Sequence, residues 1–369
     1  MSAIKVCMII ATLERGGAEH QLSLVAANLD RARFEPFVVA LTRGGPFEQV
    51  LRDRDVPHAV IGKRAKLAPL ALVRLARLVR SLRPDIVHTW MFTASAYGRV
   101  AARLAGVRPV VANVNCAHLG EARVRLGVDR MLARKTRRFI AVSESVAEWL
   151  EGAGVPGRRI TTIHDAFEPA GWPCKPLGGP PEVGRAPRLV AVGRLWPQKR
   201  YDVVLRCMRE IVRAFPEAHL TIAGEGPARP ELEGLTDELG LRQSVSMPGL
   251  VQDVPGLLAR SDLFLMGSDY EGLPNAVMEA MYVGLPVVAT DAPGIRDLVR
   301  DGCTGVLAPT GDPEALAARA VDLLGKPELM QAVAVQARRL IAEDHTVEGM
   351  VRAYEGVYER LAGGEGEFE

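Results

Sequence analysis

Short apolar runs alternate with helical patterns along most of this chain of 369 residues. The first run, residues 4–10, is continuous, and residues 20–29 then repeat apolar side chains at helical spacing. Continuous apolar runs are typical of strands that are buried on both faces, and strands that alternate with helices form parallel sheets. The alternation therefore predicts an α/β protein built on parallel sheets.

A segment rich in proline and glycine, residues 169–187, interrupts this alternation. It has no periodicity, which is typical of a linker, and the strand pattern begins again at residue 188. The sequence predicts a first domain at residues 1–168, a linker at 169–187 and a second domain at 188–345. A C-terminal helix at 346–362 and a disordered tail at 363–369 follow.

Composition restricts the class of protein. The chain is 48% apolar and 24% charged, as in ordinary folded domains, and no apolar run reaches the roughly 18 residues of a membrane-spanning helix. The first residues lack the pattern of a signal peptide, so we expect a cytoplasmic location. The five cysteines include no C-x2-C pair, so neither a disulfide framework nor a zinc site is indicated.

Charge is distributed unevenly along the chain. Residues 1–171 contain 26 Lys and Arg against 15 Asp and Glu, whereas residues 172–369 contain 20 against 29. The excess lies mainly in two basic amphipathic stretches, residues 63–83 and 123–138. The positive charge of residues 1–171 favours binding of this half to an anionic membrane surface. An arginine-rich surface or a polyanionic soluble acceptor is the alternative, and nucleic acid is not favoured because the arginines are not interleaved with aromatic residues.

Residues 268–281 have the sequence Ser-Asp-Tyr-Glu-Gly-Leu-Pro-Asn-Ala-Val-Met-Glu-Ala-Met, with Glu271 in a loop and Glu279 in the helix that follows. Pro274 suits the first turn of a helix, so the backbone N–H groups of residues 275–277 would be free to bind a phosphate. Carboxylates bind sugar hydroxyls better than phosphates, so the pattern indicates a phosphorylated sugar. The alternative is structural: Glu271 stabilises the helix end and Glu279 is solvated.

This stretch resembles the E-x7-E motif of retaining nucleotide-sugar glycosyltransferases of the family-4 type. The resemblance covers nearly the whole chain and is strongest at residues 189–312. It implies the GT-B fold, in which two Rossmann-like domains with parallel sheets face each other across a cleft, and it places the C-terminal helix across the domain junction. By the same resemblance, Glu271 meets the donor sugar and Glu279 holds the nucleotide ribose.

A second group of cations follows the strand that begins the second domain. Gly193 and Arg194 end this strand, and Lys199 comes five residues later. A forked guanidinium and a flexible ammonium beside a glycine suit a diphosphate, and the pattern is similar to the diphosphate clamp of the family. Two solvated surface cations are the alternative. In the first domain, the family's glycine loop corresponds to Gly16 and Gly17.

A polar residue near the end of the strand at 107–115 is expected, by resemblance, to contact the acceptor or the transferred sugar. The candidates are Asn115 and His118, with His88 at the end of a neighbouring strand. For each histidine the alternative is a hydrogen-bonded packing role. His164 and Asp165 stand where relatives have an Asn-Gly turn, so they receive no role.

Catalytic roles are predicted for Glu271, Arg194, Lys199 and His118. Donor binding is predicted for Gly16, Gly17, Arg194, Lys199, Gly224, Glu225, Leu250, Val251, Glu271, Gly272, Leu273, Pro274, Asn275, Ala276 and Glu279.

The resemblance implies transfer of a sugar from a nucleoside-diphosphate sugar to a hydroxyl acceptor, either a cell-envelope glycan or a lipid-linked sugar. It implies no cofactor and no metal, because arginine, lysine and the helix end stabilise the leaving phosphate. The enzyme would work in the cytoplasm or on the inner face of the membrane. The alternatives are a nucleotide-sugar 2-epimerase and a non-enzymatic nucleotide-sugar-binding protein.

Overall fold

The computed structural model describes residues 2–65, 67–116, 131–175 and 186–364. The chain forms two compact units, one of Met1–Ala166 with Val347–Glu369 and one of Phe167–Thr346. The chain therefore completes the second unit before it returns to the first for its last helix. The predicted linker begins inside the second unit, and its residues 176–185 lie outside the described residues.

The first unit contains a parallel sheet of seven strands. The strands are β1 Ile4–Thr12, β2 Phe34–Arg43, β3 His58–Val60, β4 Ile86–Trp90, β5 Val110–Val114, β6 Arg138–Ala141 and β7 Ile160–Thr162. Their order across the sheet is β3-β2-β1-β4-β5-β6-β7.

Helices cover both faces of this sheet. They are α1 Gly17–Asn28, α2 Phe47–Asp53, α3 Pro69–Leu82, α4 Phe92–Ala105, α5 Glu144–Gly152 and a C-terminal helix, Val347–Ala362. Successive side chains of a strand point to opposite faces. Met8 and Ile10 of β1 therefore pack in the core that includes α1 and the C-terminal helix, whereas Cys7 and Ile9 pack in the core that includes α3 and α4.

The second unit contains a parallel sheet of six strands. The strands are β8 Arg188–Val192, β9 His219–Ala223, β10 Val245–Gly249, β11 Leu263–Met266, β12 Val287–Thr290 and β13 Val306–Ala308, in the order β10-β9-β8-β11-β12-β13. Its helices are α6 Tyr201–Ala214, α7 Arg229–Glu238, α8 Val254–Ala259, α9 Asn275–Val283, α10 Pro313–Leu324 and α11 Pro327–Asp344.

Local sequence explains how these helices begin and which face they bury. Asp312 caps α10 by accepting a hydrogen bond from the backbone N–H of Ala315 at 2.9 Å, and Pro313 occupies the first turn. Val204, Met208 and Ile211 of α6 recur at helical spacing and are fully buried against the sheet. The C-terminal helix, Val347–Ala362, is labelled α12.

Both sheets reverse their strand order at one point, between β1 and β4 in the first unit and between β8 and β11 in the second. Open parallel sheets bind ligands outside the carboxyl ends of the strands at such a reversal. The two sheets confirm the predicted α/β class with two Rossmann-like units. Within the described ranges, no helix is long and apolar enough to cross a membrane.

Candidate active site

The reversal point of the second unit carries the predicted charged residues. β8 ends at Val192 and continues into the loop of Arg194 and Lys199, and β11 ends at Met266 and continues into the loop of Glu271. These two strands are neighbours, so their loops leave the same edge of the sheet side by side. The sheet itself therefore brings together residues that lie more than seventy positions apart in the sequence.

A buried ion pair joins the two loops. Lys199 Nζ donates to Glu271 Oε1 at 2.6 Å, and the two side chains are 16% and 8% exposed. The hydroxyl of Ser268 donates to the same carboxylate oxygen at 2.7 Å. No described residue bonds to the second oxygen of Glu271. The pair therefore fixes the carboxylate and leaves one of its oxygens to accept from a ligand hydroxyl.

Arg194 lies apart from this ion pair. Its guanidinium stacks over the half-exposed ring of Trp196 at 5.8 Å, and none of the described carboxylates pairs with it. The two predicted clamp cations thus differ in their contacts. Lys199 pairs with Glu271, whereas Arg194 is exposed and available to an anion.

Arg200, which the sequence analysis missed, holds the two loops together. Its guanidinium donates to Asp202 through Nε and Nη2 and to Asp269 through Nη1, each at 3.0 Å. The backbone N–H of Asp269 also donates to Gln198 O at 2.9 Å. These bonds raise the pKa of Arg200, with the hydrogen bond to Asp202 the largest cause. The available sequence signal was a third cation next to Lys199 with an aspartate two residues later.

The backbone of Arg200 is left-handed, with φ 47° and ψ 47°. This conformation is unfavourable for a residue with a Cβ atom and persists only where the surroundings hold it. The two aspartates and the loop contacts of Arg200 supply that restraint. We therefore regard Arg200 as a positioning residue for Lys199 and Glu271.

Glycines let the loops after β8 and β9 lie directly against each other. Gly193 and Gly224 have φ of 154° and 156°, and a Cβ atom at Gly224 would overlap the carbonyl oxygen of Gly193. A Cβ atom at Gly226 would likewise overlap Leu195 O. The predicted donor-binding residue Gly224 therefore has a structural reason to be glycine that is independent of any ligand.

Other predicted donor-binding residues follow β9 and β10. Glu225 forms an ion pair with Arg229 at 2.7 Å, and both side chains are partly exposed. Leu250 is 66% exposed at the end of β10, and Val251 beside it is half-buried. These residues lie at the carboxyl edge of the sheet, as predicted, but Glu225 already has a protein partner.

The structure modifies the predicted phosphate site at the start of α9. The helix begins at Asn275, and Pro274 precedes it with φ −76° and ψ 106°. The backbone N–H of Val277 donates to Pro274 O at 2.9 Å, because the carbonyl before a helix accepts from its first turn. Val277 is therefore not one of the free donors expected from the sequence, and Ala276 is the better candidate.

A neighbouring loop supports the buried segment Glu271, Gly272 and Leu273. Gly294 has φ 80°, and a Cβ atom there would meet Glu271 O and Gly272 O at 2.5 Å. The backbone N–H of Glu271 donates to Pro293 O at 2.9 Å. Glycine at position 294 thus allows two backbones to approach closely and fixes the main chain that carries Glu271.

Glu279 lies in the second turn of α9 and is half-buried. Burial of its carboxyl group raises the pKa of Glu279 to about 7. No described residue donates a hydrogen bond to it. This carboxylate therefore has no described hydrogen-bond donor that would stabilise its negative charge. Hydroxyl groups of a ligand could supply such donors.

In the first unit, the loop after β1 carries Gly16 and Gly17, at the start of α1. Gly16 has φ −169°, an extended conformation open to any residue. Its Cβ atom would instead overlap the buried carboxylate of Glu19, whose Oε1 accepts from the hydroxyl of Thr12 at 2.8 Å. Glycine at position 16 thus leaves room for the Glu19 side chain in this position.

His88, which is predicted to contact the sugar or the acceptor, is packed among aromatic side chains. His88 is fully buried, its Nδ1 lies 2.7 Å from the hydroxyl of Tyr358, and the rings of Trp90 and Tyr354 pack within 6 Å. Burial lowers its pKa to about 3. The physical reason is that α12 covers this part of the sheet, so the packing alternative for His88 holds.

Asn115 lies at the end of a hydrogen-bond chain from α12. The hydroxyl of Tyr354 donates to Asn113 Oδ1 at 2.8 Å, and Asn113 Nδ2 donates to Asn115 Oδ1 at 3.2 Å. The Nδ2 atom of Asn115 is buried and has no hydrogen-bond partner among the described residues. Asn115 is thus arranged as a hydrogen-bond donor, and the other candidate here, His118, lies outside the described residues.

The two residues left without a role have different environments. Asp165 is buried, and burial raises its pKa to about 8, whereas His164 is half-buried. Neither has a geometry that assigns it to the predicted site. Among the residues that the structure describes, no three His, Cys, Asp or Glu side chains form a group that could hold a metal ion.

Comparisons with known proteins agree with this fold and place the chain among glycosyltransferases. Residues 15–170 match the family model "Glycosyltransferase Family 4", and residues 186–326 match "Glycosyl transferases group 1". The 2-deoxystreptamine glucosyltransferase of Streptomyces kanamyceticus is 27% identical over 96% of this chain and 97% of its own.

A second relative acts on a lipid by name. The GDP-mannose-dependent alpha-(1-6)-phosphatidylinositol monomannoside mannosyltransferase of Mycolicibacterium smegmatis is 29% identical over 88% of this chain and 90% of its own. Two further relatives match over only 46% and 56% of their lengths, so this chain spans about half of each.

The solved structure of Anabaena Alr3699/HepE with UDP and glucose has a TM-score of 0.85 to this chain. It is 23% identical over 97% of this chain and 100% of that one, which establishes a common fold.

Proposed function

The chain belongs to the family-4 type of glycosyltransferases with the GT-B fold, and from this premise we propose that it transfers a sugar from a nucleoside-diphosphate sugar to a hydroxyl group. The observation that carries the proposal is the buried pair of Lys199 and Glu271 at the strand reversal of the second unit. It places a cation and a sugar-binding carboxylate at the edge where open α/β sheets bind ligands.

The diphosphate of the donor would bind between Arg194, Lys199 and the start of α9. The ammonium of Lys199 has three N–H donors, so it can keep its bond to Glu271 and also donate to a phosphate oxygen. Arg194 supplies an exposed guanidinium, and the helix end supplies partial positive charge. These groups stabilise the charge that develops on the leaving phosphate, so the proposal includes no metal ion.

We propose that the reaction retains the anomeric configuration. The bond from the anomeric carbon to the phosphate oxygen breaks, and the acceptor oxygen bonds to that carbon on the same face. The proton of the acceptor hydroxyl passes to the departing phosphate. Glu271 binds hydroxyls of the transferred sugar, and Glu279 binds the ribose hydroxyls, for which an acceptor-only carboxylate is suited.

The donor nucleotide can be sought in two classes suggested by the relatives. The HepE structures are complexes with UDP or UDP-glucose, and the mycobacterial relative is GDP-mannose-dependent by name. We propose a uridine nucleotide as the first to test, with guanosine nucleotides as the comparison.

A panel of UDP- and GDP-sugars tests the proposed activity. The full chain is incubated with each donor, with and without candidate hydroxyl acceptors, and the sugar products and the released nucleoside diphosphate are measured. The proposal expects release of a nucleoside diphosphate that increases with acceptor, and a product whose anomeric configuration equals that of the donor. Formation of an isomeric nucleotide sugar without acceptor would instead indicate a 2-epimerase, and an inverted product would overturn retention.

We propose that the acceptor is a lipid-linked or cell-envelope glycan and that the first unit docks on an anionic membrane, on its cytoplasmic side. The exposed face of α3 supports this proposal. Leu70 is 73% exposed and Val73 43%, and Arg74, Arg77 and Arg80 lie along the same helix without a described ion-pair partner. Each such cation near an anionic surface contributes about 1 kcal/mol to binding. The other basic stretch, residues 123–138, is only partly described.

Sedimentation with vesicles tests the docking. The variant Arg74→Glu with Arg77→Glu should lose binding to vesicles that contain anionic lipid, whereas Arg206→Glu with Arg300→Glu, the same charge change in the second unit, should retain it. Added salt should weaken the binding of the unaltered protein. Docking through α3 would be contradicted if binding did not depend on the fraction of anionic lipid, or if both variants lost binding equally.

A further inference from the structure

A cavity of about 520 Å³ opens in the first unit, at the amino ends of β4 and β5. It is lined by the turn from α3 to β4, the turn from α4 to β5 and the last residues of α12. β4 and β5 have five residues each, so this edge lies about 16 Å from the carboxyl ends of the same strands. The cavity is therefore separate from the loops that the proposed reaction uses in this unit.

Three arginines line the cavity, namely Arg80, Arg83 and Arg108. All three are exposed, and no described residue forms an ion pair or a side-chain hydrogen bond with any of them. One carboxylate, Asp85, also lines the cavity, but its Oδ2 accepts a hydrogen bond from the backbone N–H of Lys5 at 2.8 Å. The lining thus carries more positive than negative charge. Guanidinium groups remain charged at any relevant pH, so this positive charge is always present.

Stabilisation of helix ends explains only part of this arrangement. α3, α4 and α12 all end at the cavity, and their last carbonyl groups carry partial negative charge that a nearby cation offsets. Arg80, in the last turn of α3, fits this explanation. Arg108 lies three residues after the end of α4, in the turn that enters β5, where this explanation is weak.

Arg83 occupies a backbone position that favours glycine. Arg83 ends α3 in the left-handed conformation, with φ 48° and ψ 53°. The corresponding position after α4 has the same conformation and is a glycine, Gly106, with φ 77°. Glycine is the favourable residue at such a helix end, because a Cβ atom is strained there. The left-handed turn at Arg83 leaves its side chain in the lining of the cavity.

We propose that this cavity binds a phosphate-bearing ligand. The planar fork of an arginine side chain matches two phosphate oxygens at once, and three such side chains around one concavity suit a phosphate ester. Val79, Pro84 and Val107 provide apolar walls for the carbon part of the ligand. The phosphate could belong to a lipid headgroup or to a soluble metabolite. The proposal does not depend on the proposed transferase activity.

Calorimetry with inorganic pyrophosphate at low salt tests the site. The full chain first receives Arg194→Ala and Lys199→Ala, so that binding to the proposed donor site is removed from the measurement. In this background we expect one saturable site. Arg83→Ala with Arg108→Ala should weaken its affinity at least tenfold, because each lost charged hydrogen bond has an effect of that size.

A matched variant distinguishes a built site from general attraction to a basic surface. Arg74→Ala with Arg77→Ala removes the same charge from the exposed face of α3, and it should leave the affinity for pyrophosphate nearly unchanged. Arg83→Lys with Arg108→Lys keeps the charge without the fork and should give an intermediate loss. Equal weakening by both alanine pairs, or no saturable binding in the background protein, would overturn the proposal. Thermal unfolding of each variant checks that it is folded.

Vesicles identify the source of the phosphate. If the ligand is a lipid headgroup, phosphatidylcholine vesicles with phosphatidic acid should bind the background protein, pyrophosphate should compete, and Arg83→Ala with Arg108→Ala should abolish the competition. If the ligand is soluble, pyrophosphate should bind the cavity and leave any vesicle binding unchanged. Both results support a phosphate site and assign its source.

Discussion

The two sheets have the same order over their first six strands but place different residues where that order reverses. In the second unit, loops after β8 and β11 bring Lys199 within 2.6 Å of Glu271. In the first unit, the loop after β1 carries Gly16 and Gly17, and His88 near the end of β4 is buried by aromatic residues of α12. The topology thus decides where a site can form, and the loops and covering helices decide what it can do.

Charge separates the two units in the same way. By composition, the first unit has 28 Lys and Arg against 20 Asp and Glu, and the second has 18 against 24. Unpaired arginines are prominent on α3 of the first unit, whereas those beside the second unit's site are largely held by carboxylates, as Arg200 is by Asp202 and Asp269. The first unit therefore suits attraction to an anionic surface, and the second suits precise placement of a few charges.

The largest effect should come from Glu271→Gln. The amide cannot pair ionically with Lys199, so the group that is proposed to bind the sugar loses the contact that fixes it, whereas Lys199 keeps its charge for the diphosphate. We expect turnover to fall about a hundredfold, the size of effect that misplacement of reacting groups produces. Nucleotide affinity should change much less. Glu233→Gln, which alters an exposed ion pair of Arg229 in the same unit, is the control and should retain activity.

Steady-state kinetics and calorimetry give the two quantities for Glu271→Gln. A turnover equal to that of Glu233→Gln would show that the pair with Lys199 is structural only. The strand reversal of the second unit would then not differ from that of the first in function.

Arg200→Ala should lower both stability and turnover. It removes three hydrogen bonds that hold the two loops, and because the groups are about one-third exposed we expect a loss of about 1–2 kcal/mol in the free energy of unfolding. Arg200→Gly should be more stable than Arg200→Ala by about 1 kcal/mol, since glycine accepts the left-handed backbone, but it should be equally poor in turnover.

Arg319→Ala is the matched control for Arg200→Ala, because Arg319 also donates to a carboxylate, Asp301, and to a carbonyl, Leu307 O, and neither is a predicted site residue. Urea unfolding and the turnover number are measured for all three variants. If Arg319→Ala lowers turnover as much as Arg200→Ala does, then Arg200 has no special positioning role.

In the first unit, His88 should affect stability and its pH dependence. Tyr358→Phe removes the hydroxyl beside His88 Nδ1, so we expect a loss of about 1–3 kcal/mol in the free energy of unfolding with unchanged nucleotide affinity. Burial lowers the pKa of His88 to about 3, so below the usual value of 6.5 the unfolded chain binds a proton that the folded chain does not. Stability should therefore fall as pH decreases, by up to about 1.4 kcal/mol per pH unit.

Urea unfolding from about pH 7 to about pH 5 measures this slope. His88→Gln should reduce it. A slope that is the same in His88→Gln, or a loss of nucleotide affinity in Tyr358→Phe, would show that the buried cluster of the first unit is not a packing element alone.

The smallest effect concerns Glu279. Burial raises the pKa of its carboxyl to about 7, above the usual 4.5, so its contribution to stability is present at low pH and is lost as pH rises through about 7. Ribose hydroxyls donate to the ionised form, so UDP affinity should increase with pH across this range. Calorimetry should show that Glu279→Gln lacks this part of the increase and binds UDP about tenfold more weakly at high pH. Parallel pH profiles for the two proteins would argue against a ribose contact.

Periodicity and motif predicted the parts of the molecule that depend on local sequence. The strands at residues 4–10 and 188–195, the helix at 346–362 and the loop of Glu271 were all expected, because their apolar spacing and turn residues are local signals. The position of Arg194 near the same sheet edge as Glu271 was also expected, since both follow strands of one parallel sheet.

Other features depend on contacts between distant residues. The burial of His88 could not be predicted, because it is caused by Tyr354 and Tyr358, about 270 residues later, which no local pattern reveals. The pairing of Arg200 with Asp269 and of Lys199 with Glu271 likewise depends on which strands are neighbours. The sequence placed a cation and a carboxylate at the site but could not show that they neutralise each other.

The central claim is that the loops at the strand reversal of the second unit bind the donor diphosphate. Calorimetric titration of UDP and GDP into Lys199→Ala and Arg194→Ala, with Arg319→Ala as control, tests it most directly. Each of the first two variants should lose about 1.5–3 kcal/mol of binding free energy for the preferred nucleotide, roughly a 10- to 150-fold weaker affinity, and the control should bind like the unaltered protein. Unchanged affinity in both Lys199→Ala and Arg194→Ala would contradict the claim.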